Sequence, residues 1–421
     1  MVRTDLLFAV TALLIVAVTR AAYPAPQGET LPAGTGPAPL KEGAFPVRLI
    51  AHANGDVDKL ASRFQWQDPN HPALRQLRER EKLDAIIAQG KTDFDKVLAL
   101  KGWTGAQWKF GTPEPYPAWN ACTILDGVRA GKHGGWCGQY AQVFSQALLS
   151  LGYRARYVEL GSRGNPYAHF TTEVWVPSLG KWVVVDPTPL EANDCYYVDE
   201  RGAPLSALEV HRALVTGKAA AVRAIRADPL SPQAQPVAPA KIENYYYLRY
   251  LWRTDQLSNN PPVLDLQHVF DRWNDAIEWQ DDQTVMWEDS PFAASWEQNQ
   301  RQTAIHISRP EDVNWPLTDA VRIELRPMIH KDGLFSLGLW ACQPNLERFL
   351  VQVDDGAWQE QPIPEHERRQ GLWGPGFYPI RLAPGRHTIR ARATKSTGEL
   401  GPISFVTFEF APAPPPKEGE Q

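Results

Sequence analysis

Two stretches decide the fold: Gly135-Trp-Cys-Gly-Gln-Tyr-Ala-Gln-Val-Phe-Ser-Gln-Ala-Leu-Leu-Ser-Leu-Gly152, and His169-Phe-Thr-Thr-Glu-Val-Trp-Val-Pro-Ser-Leu-Gly-Lys-Trp-Val-Val-Val-Asp-Pro-Thr188. In the first, Ala141, Phe144, Leu148 and Leu151 recur at helical spacing, so a helix over 139–151 buries one face. Gly152 suits its C-terminal cap, and Arg154-Ala-Arg-Tyr-Val158 then reads as a strand. In the second, Val174 and Val176 alternate in one arm and Trp182, Val184 and Asp186 in the other, as in a β-hairpin. A turn centred on Pro177-Ser178 puts His169 across from Asp186. A turn on Leu179-Gly180 would put Glu173 there and demand a bulge. The first register is the one expected.

A thiol, an imidazole and a carboxylate on helix start, strand and strand are a plan for nucleophilic acyl chemistry. A helix N-terminus carries partial positive charge, which biases Cys137 toward the reactive thiolate. Gly134 and Gly135 let the backbone turn into the helix and give a substrate close approach. His169 would handle the thiol proton while Asp186 orients the imidazole and stabilises its charge. Cysteine is also among the most buried residue types, and a strand histidine is often only a core residue, so a lone pair would say little. Three residues inside a matching helix–strand–strand order say much more. His133 and Glu173, also near the motif, read as solvent-facing.

These segments resemble the transglutaminase-like superfamily of papain-like cysteine enzymes. The resemblance rests on Gly-Trp-Cys-Gly with its helix, Leu-Gly-Tyr-Arg-Ala-Arg-Tyr-Val, His-(x3)-Glu-Val-Trp and Lys-Trp-Val-(x2)-Asp-Pro-Thr, and covers roughly residues 92 to 210. Cys137, His169 and Asp186 fall at the family's nucleophile, base and orienting positions. Thr172-Glu-Val-Trp-Val-Pro-Ser178 and Lys181-Trp182 are also similar to the peptide:N-glycanase core, without the paired Cys-x-x-Cys motifs of the glycanase zinc site. The resemblance further implies an oxyanion hole built from the Cys137 backbone N–H and an upstream Trp or Gln side chain. Trp103 and Trp108 are the first candidates, with Gln107, Trp66 and Gln67 behind them and Trp136 as a substrate contact; core packing is the commoner task for tryptophan.

At 421 residues and 43% hydrophobic content the chain can build two or three domains. A net charge of −5 leaves no basic footprint, so nucleic acid is not an expected partner. Leu6 to Val18 is nearly all apolar, too short to span a bilayer comfortably but suited to a signal peptide over 1–21. Export to the periplasm or outside is the reading, with an uncleaved membrane anchor as the alternative. Four cysteines in so long a chain are no disulfide scaffold. With Cys137 kept for chemistry, Cys122, Cys195 and Cys342 remain, either as buried thiols or with a Cys122–Cys195 bridge beside the site. No cofactor or metal is called for.

The expected fold class is α+β: a transglutaminase-like core, helix packed on antiparallel sheet, plus a C-terminal immunoglobulin-like β-sandwich. A flexible spacer (22–45) precedes the catalytic domain (46–227), whose first part to about residue 110 reads as helical. Its charged helix shows Leu74, Leu77, Leu83, Ile86 and Ile87 on one face, and a second helix runs from Thr92 to Trp103. A Pro-rich linker (228–241) and an aromatic-rich segment (242–315) follow, the latter packing on the core or offering rings to a substrate. Alternating strands at 321–325, 349–353, 387–393 and 404–410 build the sandwich (316–411), before a disordered tail (412–421). The function this implies is a thiol amidase or peptidase acting on protein, peptide or glycopeptide. The alternatives are a cross-linking transglutaminase, a peptide:N-glycanase-like amidase, or a non-catalytic surface protein that binds peptide or polysaccharide through core or sandwich.

Overall fold

Four of the described helices begin where a side chain accepts an N–H group of the first turn. The fold is that of a computed structural model, which describes residues 30–35, 40–41, 46–57, 66–88, 90–162, 165–190, 193–226, 235–237, 242–251, 257, 276–279, 305–307, 310, 313–314, 319–328, 333–341, 346–363, 376–395 and 398–411. Helix α1 (Pro72–Arg80) carries Pro at its first position and is capped by His71. The charged helix expected to run on through Ile87 breaks instead at Lys82, whose φ of 53° is left-handed, and resumes as α2 (Leu83–Ile87). Both segments still bury the expected leucines. Thr92 and Asp95 form a capping box for α3 (Asp93–Gly105), Asn120 caps α4 (Ala121–Arg129), and α5 (Cys137–Ser150) is buried along nearly its whole length. Gly152, at φ 85°, closes α5 as expected, with Tyr153 N–H donating back to Leu148 C=O at 3.0 Å. Helix α6 (Ala207–Val215) starts on a Ser206/Glu209 capping box.

Strand β1 (Val47–Ala53) stands apart, as described below. The core sheet is built from β2 (Ala155–Ser162), β3 (Asn165–Val176), β4 (Lys181–Val185), β5 (Tyr196–Val198), β6 (Arg223–Arg226), β7 (Gln235–Val237), β8 (Tyr247–Leu251), β9 (Ala276–Trp279) and β10 (Ile305–Ile307). They lie in the order β10-β9-β8-β2-β3-β4-β5-β6-β7, antiparallel except for β9–β10. The sheet therefore does not stop at residue 227: the segment expected to pack on the core supplies three of its strands. Tyr245, Tyr246 and Tyr247 are buried there, while Trp252, Trp273, Trp287 and Trp296 lie outside the described residues. One face of β3 and β4, with Val174, Val176, Val183 and Val185, packs with Val143, Phe144, Ala147 and Leu148 of α5. The other face, with Trp182 and Val184, packs with Leu208 and Val210 of α6.

The hairpin register differs from both alternatives read in the sequence. Trp175 pairs with Trp182 and Thr172 with Val185, around a 3₁₀ turn at Pro177–Leu179 closed by Gly180. Extending this ladder sets Asp186 opposite Thr171, so His169 is its diagonal neighbour. No bulge is needed.

Fully buried inside the sheet, Arg156 on β2 sits directly opposite Glu173 on β3 and donates to its carboxylate at 2.9 and 2.5 Å. The guanidinium stacks at 4.0 Å from Trp182 and 4.5 Å from Tyr250. The other Glu173 oxygen accepts the Ala207 N–H at 2.6 Å, at the start of α6. Glu173 thus corrects the solvent-facing reading: its partner is set by strand pairing, which local sequence does not display.

The C-terminal part is a two-sheet sandwich. Strands β11 (Arg322–Pro327), β12 (Leu334–Trp340) and β15 (Gly376–Arg381) form one sheet. The other has the order β1-β17-β16-β13-β14, from β13 (Leu346–Val353), β14 (Gln359–Pro362), β16 (Gly385–Lys395) and β17 (Ser404–Phe410). Ile323, Leu325, Phe335 and Leu337 face Phe349, Val351, Ile389, Val406 and Phe408 in one core. Residues 47–53, expected in a helical lead-in to the catalytic domain, are instead the edge strand β1, antiparallel to β17 with a bulge between Leu49 and Ala51. The expected signal peptide, most of the expected spacer and linker, and the expected tail lie outside the described residues. Among the described residues no helix is long and apolar enough to cross a membrane.

Removing one member of a buried ion pair strands the other charge. Glu173→Ala is therefore expected to cost roughly 3–5 kcal/mol of unfolding free energy in urea titration. A loss below about 1 kcal/mol would show that the pair is not what holds β2, β3 and α6 together.

Candidate active site

Helix α5 begins at Cys137, so the Cys137 and Gly138 N–H groups have no intrahelical acceptor and point outward. The Gln139 side-chain carbonyl, folded back over this turn, accepts the Trp136 N–H at 2.8 Å. Gly134 and Gly135 serve a different purpose from the one read in the sequence. A Cβ on Gly134 would lie 2.5 Å from the Gly111 backbone, and one on Gly135 would lie 2.6 Å from Trp108 Nε1. Both glycines let the entry loop lie flat on residues 108–112. His133, half-buried, closes over Gly127 of α4 and is not solvent-facing.

His169 and Asp186 meet at 2.6 Å through Nε2 and Oδ2. The imidazole also hydrogen-bonds the Cys137 thiol, and with Nε2 engaged that contact falls to Nδ1. Burial works against charge on His169, but Asp186 and Cys137 outweigh it and push the imidazole from 6.5 up to about 10. Burial likewise disfavours the Asp186 carboxylate, yet His169, the Thr188 N–H and the Asn193 amide hold its pKa below 3.8. The three residues singled out in the sequence are thus brought together in one chain of contacts.

Sequence reading missed Asn193. Its amide nitrogen lies 2.7 Å from His169 Nε2 and 3.1 Å from Asp186 Oδ2. Since Nε2 carries the proton shared with Asp186, the productive bond of the amide is the one to the carboxylate. Its place is fixed next door: buried Lys101 of α3 donates to the Asp194 carbonyl at 3.0 Å and to the Asp194 carboxylate. The Asp194 N–H in turn bonds the Thr188 carbonyl at 2.9 Å. A Lys101 seemingly lost in a helix was the one available signal, and nothing in sequence connects it to residue 194.

The tryptophans sort differently from expectation. The Trp108 indole N–H donates to the Gly135 carbonyl at 3.3 Å and its ring stacks on Tyr140 at 4.0 Å, so it is not free to serve an oxyanion. Trp103 is packed against the apolar cluster between α3, α5 and β4. Trp136 is 40% exposed beside Cys137, as a substrate contact would be. Cys122 and Cys195 are free buried thiols rather than a bridge, and Cys342 lies outside the described residues. Burial pushes the Cys195 thiol up to about 12, so it stays protonated and inert.

Against the family models, residues 80–187 match the transglutaminase-like superfamily. The chain carries a transglutaminase-like domain. The superfamily consists in general of cysteine-dependent enzymes, and the match ends one residue past Asp186. No curated protein matches the chain. A cavity of about 1040 Å³ lies away from the triad: it is lined by Ser150, Leu151 and Gly152 at the opposite end of α5, with Arg154 and Lys395.

The shifts give stability a pH window. His169, raised in the folded state, stabilises fully below about 6.5 and loses its contribution as pH rises through about 10. Asp186, lowered when folded, stabilises above 3.8 and loses its contribution as pH falls through its depressed value. Thermal unfolding of Asp186→Asn against pH should therefore lose the acid limb and begin its alkaline decline earlier than the parent protein. Parallel curves for the two proteins would refute the coupling.

Proposed function

We propose that this chain is an exported thiol hydrolase of the transglutaminase-like type that cleaves an amide or peptide bond. The observation that carries this reading is His169, held at 2.6 Å by Asp186 on one nitrogen and bonded to Cys137 on the other. A thiolate–imidazolium pair is the state such an arrangement favours. Cys137 sulfur would add to the carbonyl carbon, and the carbonyl π pair would move onto oxygen. Collapse of that adduct would expel the amine, which takes its proton from His169, and leave a thioester on Cys137. Water, deprotonated by the now neutral His169, would then release the acid and free the thiol.

Hydrolysis is preferred to transfer because no dedicated amine site flanks the triad in the sequence. The exposed Trp136 and the 41% exposed Phe110, on the paired segments 110–112 and 134–136, offer apolar contacts to a polypeptide beside the thiol. Export rests on the apolar run Leu6 to Val18.

Iodoacetamide labelling read by mass spectrometry tests the nucleophile. Cys137 is expected to react at pH 6 while Cys122 and Cys195 do not, and His169→Ala is expected to slow it at least about 10-fold. Cys137→Ala should abolish turnover of any amide or peptide found to be cleaved. An unreactive Cys137, indifferent to His169, would leave a peptide- or polysaccharide-binding protein as the better reading.

A further inference from the structure

Acyl transfer needs a donor for the oxygen that becomes negative when sulfur adds to the carbonyl, and the Trp108 indole N–H is already spent on the Gly135 carbonyl. The segment that passes beside the start of α5 supplies a different group. Tyr116, half-buried between Pro115 and Pro117, packs with Phe170 on the cluster of Trp119, Ala141 and Tyr157. Phe170 follows His169 and also borders Gly138, which follows Cys137, so this cluster adjoins both halves of the nucleophile–base pair.

The donors and acceptors around Tyr116 can be counted. Its hydroxyl oxygen accepts the Trp119 indole N–H at 3.1 Å. The Gln139 side chain bonds the same hydroxyl. The Gln139 bond works to lower the phenol's pKa, as a donor to its oxygen does, so the group it turns to Tyr116 is its NH₂. Two donors thus fill the acceptor side of the Tyr116 oxygen, and its own hydrogen is left to donate outward. From the geometry we infer that the Tyr116 hydroxyl is a catalytic residue, donating with the Cys137 backbone N–H to the oxyanion formed in acyl transfer; this rests on the thiol-enzyme reading above.

The hydroxyl is held by the same helix that presents the thiol. Tyr140 donates to the Trp108 carbonyl at 2.8 Å, and Gln142 and Gln146 donate to the Trp119 carbonyl at 3.1 and 3.0 Å. The 108–119 segment is therefore clamped to α5 at both ends, which fixes the donor in advance of the reaction. Burial, and to a smaller degree the negative charge of Cys137, raise the phenol above its usual 10, so Tyr116 keeps its proton at neutral pH.

The test compares two probes on the full chain and its Tyr116→Phe variant. p-Nitrophenyl acetate acylates a thiol through a tetrahedral oxyanion, with sulfur bonded to the acetyl carbon and p-nitrophenolate expelled. Iodoacetamide alkylates by direct displacement of iodide from carbon and forms no oxyanion. Tyr116→Phe is expected to slow Cys137 acylation about 10- to 100-fold and to leave its alkylation within about 2-fold. Equal loss with both probes would overturn the inference, since Tyr116 would then serve the thiolate or the fold. No change in acylation would overturn it too, with the cysteine-enzyme reading intact. A parent protein whose Cys137 reacts with neither probe would remove both readings together.

Discussion

The buried contact between Arg156 and Glu173 is the constraint on which the rest of the site depends. It joins neighbouring strands at facing positions and spends its remaining carboxylate oxygen on the first turn of α6. A slip of one residue between these strands would exchange their two faces and leave both charges in apolar surroundings. The alternative registers are thereby excluded, and His169, four residues along the same strand, inherits a fixed position. Trp182 and Tyr250 cover the guanidinium, so water does not weaken the pair.

From this frame the site is assembled by a helix and the two arms of one hairpin. Helix α5 brings the thiol, β3 the imidazole, and the turn after β4 the carboxylate. The loop that follows is tied back by Lys101, so that Asn193 supports the carboxylate from its far side. Burial raises the Cys122 and Cys195 thiols, so these two cysteines stay protonated.

Much of this was legible in the chain itself. Period 3.6 after Gly135, period 2 on either side of Pro177, and a glycine at 152 gave α5, the hairpin and the helix stop at nearly their observed bounds. Cys137, His169 and Asp186 stood out because their residue types match their elements. What stayed hidden depends on contacts that the pattern within a single element does not display. The register turned on where the turn is centred, and the 3₁₀ segment over Pro177–Leu179 centres it between the two positions read in the sequence. Glu173 looked like a surface residue because its partner is a strand away. The role of Asn193 required the path of a loop, and the task of Gly135 required the position of Trp108. Strand β1 carried its own period-2 signal, but the partner that makes it part of the sandwich comes at the other end of the chain.

The edge position of β1 has a consequence for how the protein is made. Its partner β17 is translated about 350 residues later, so at 5–20 residues per second the strand waits about 20–70 s with its hydrogen-bonding edge open. Through that interval the papain-like core can close while the sandwich cannot. An early strand with unmet N–H and C=O groups is a template for pairing with another nascent chain. The charged Arg48 works against such pairing until β17 arrives.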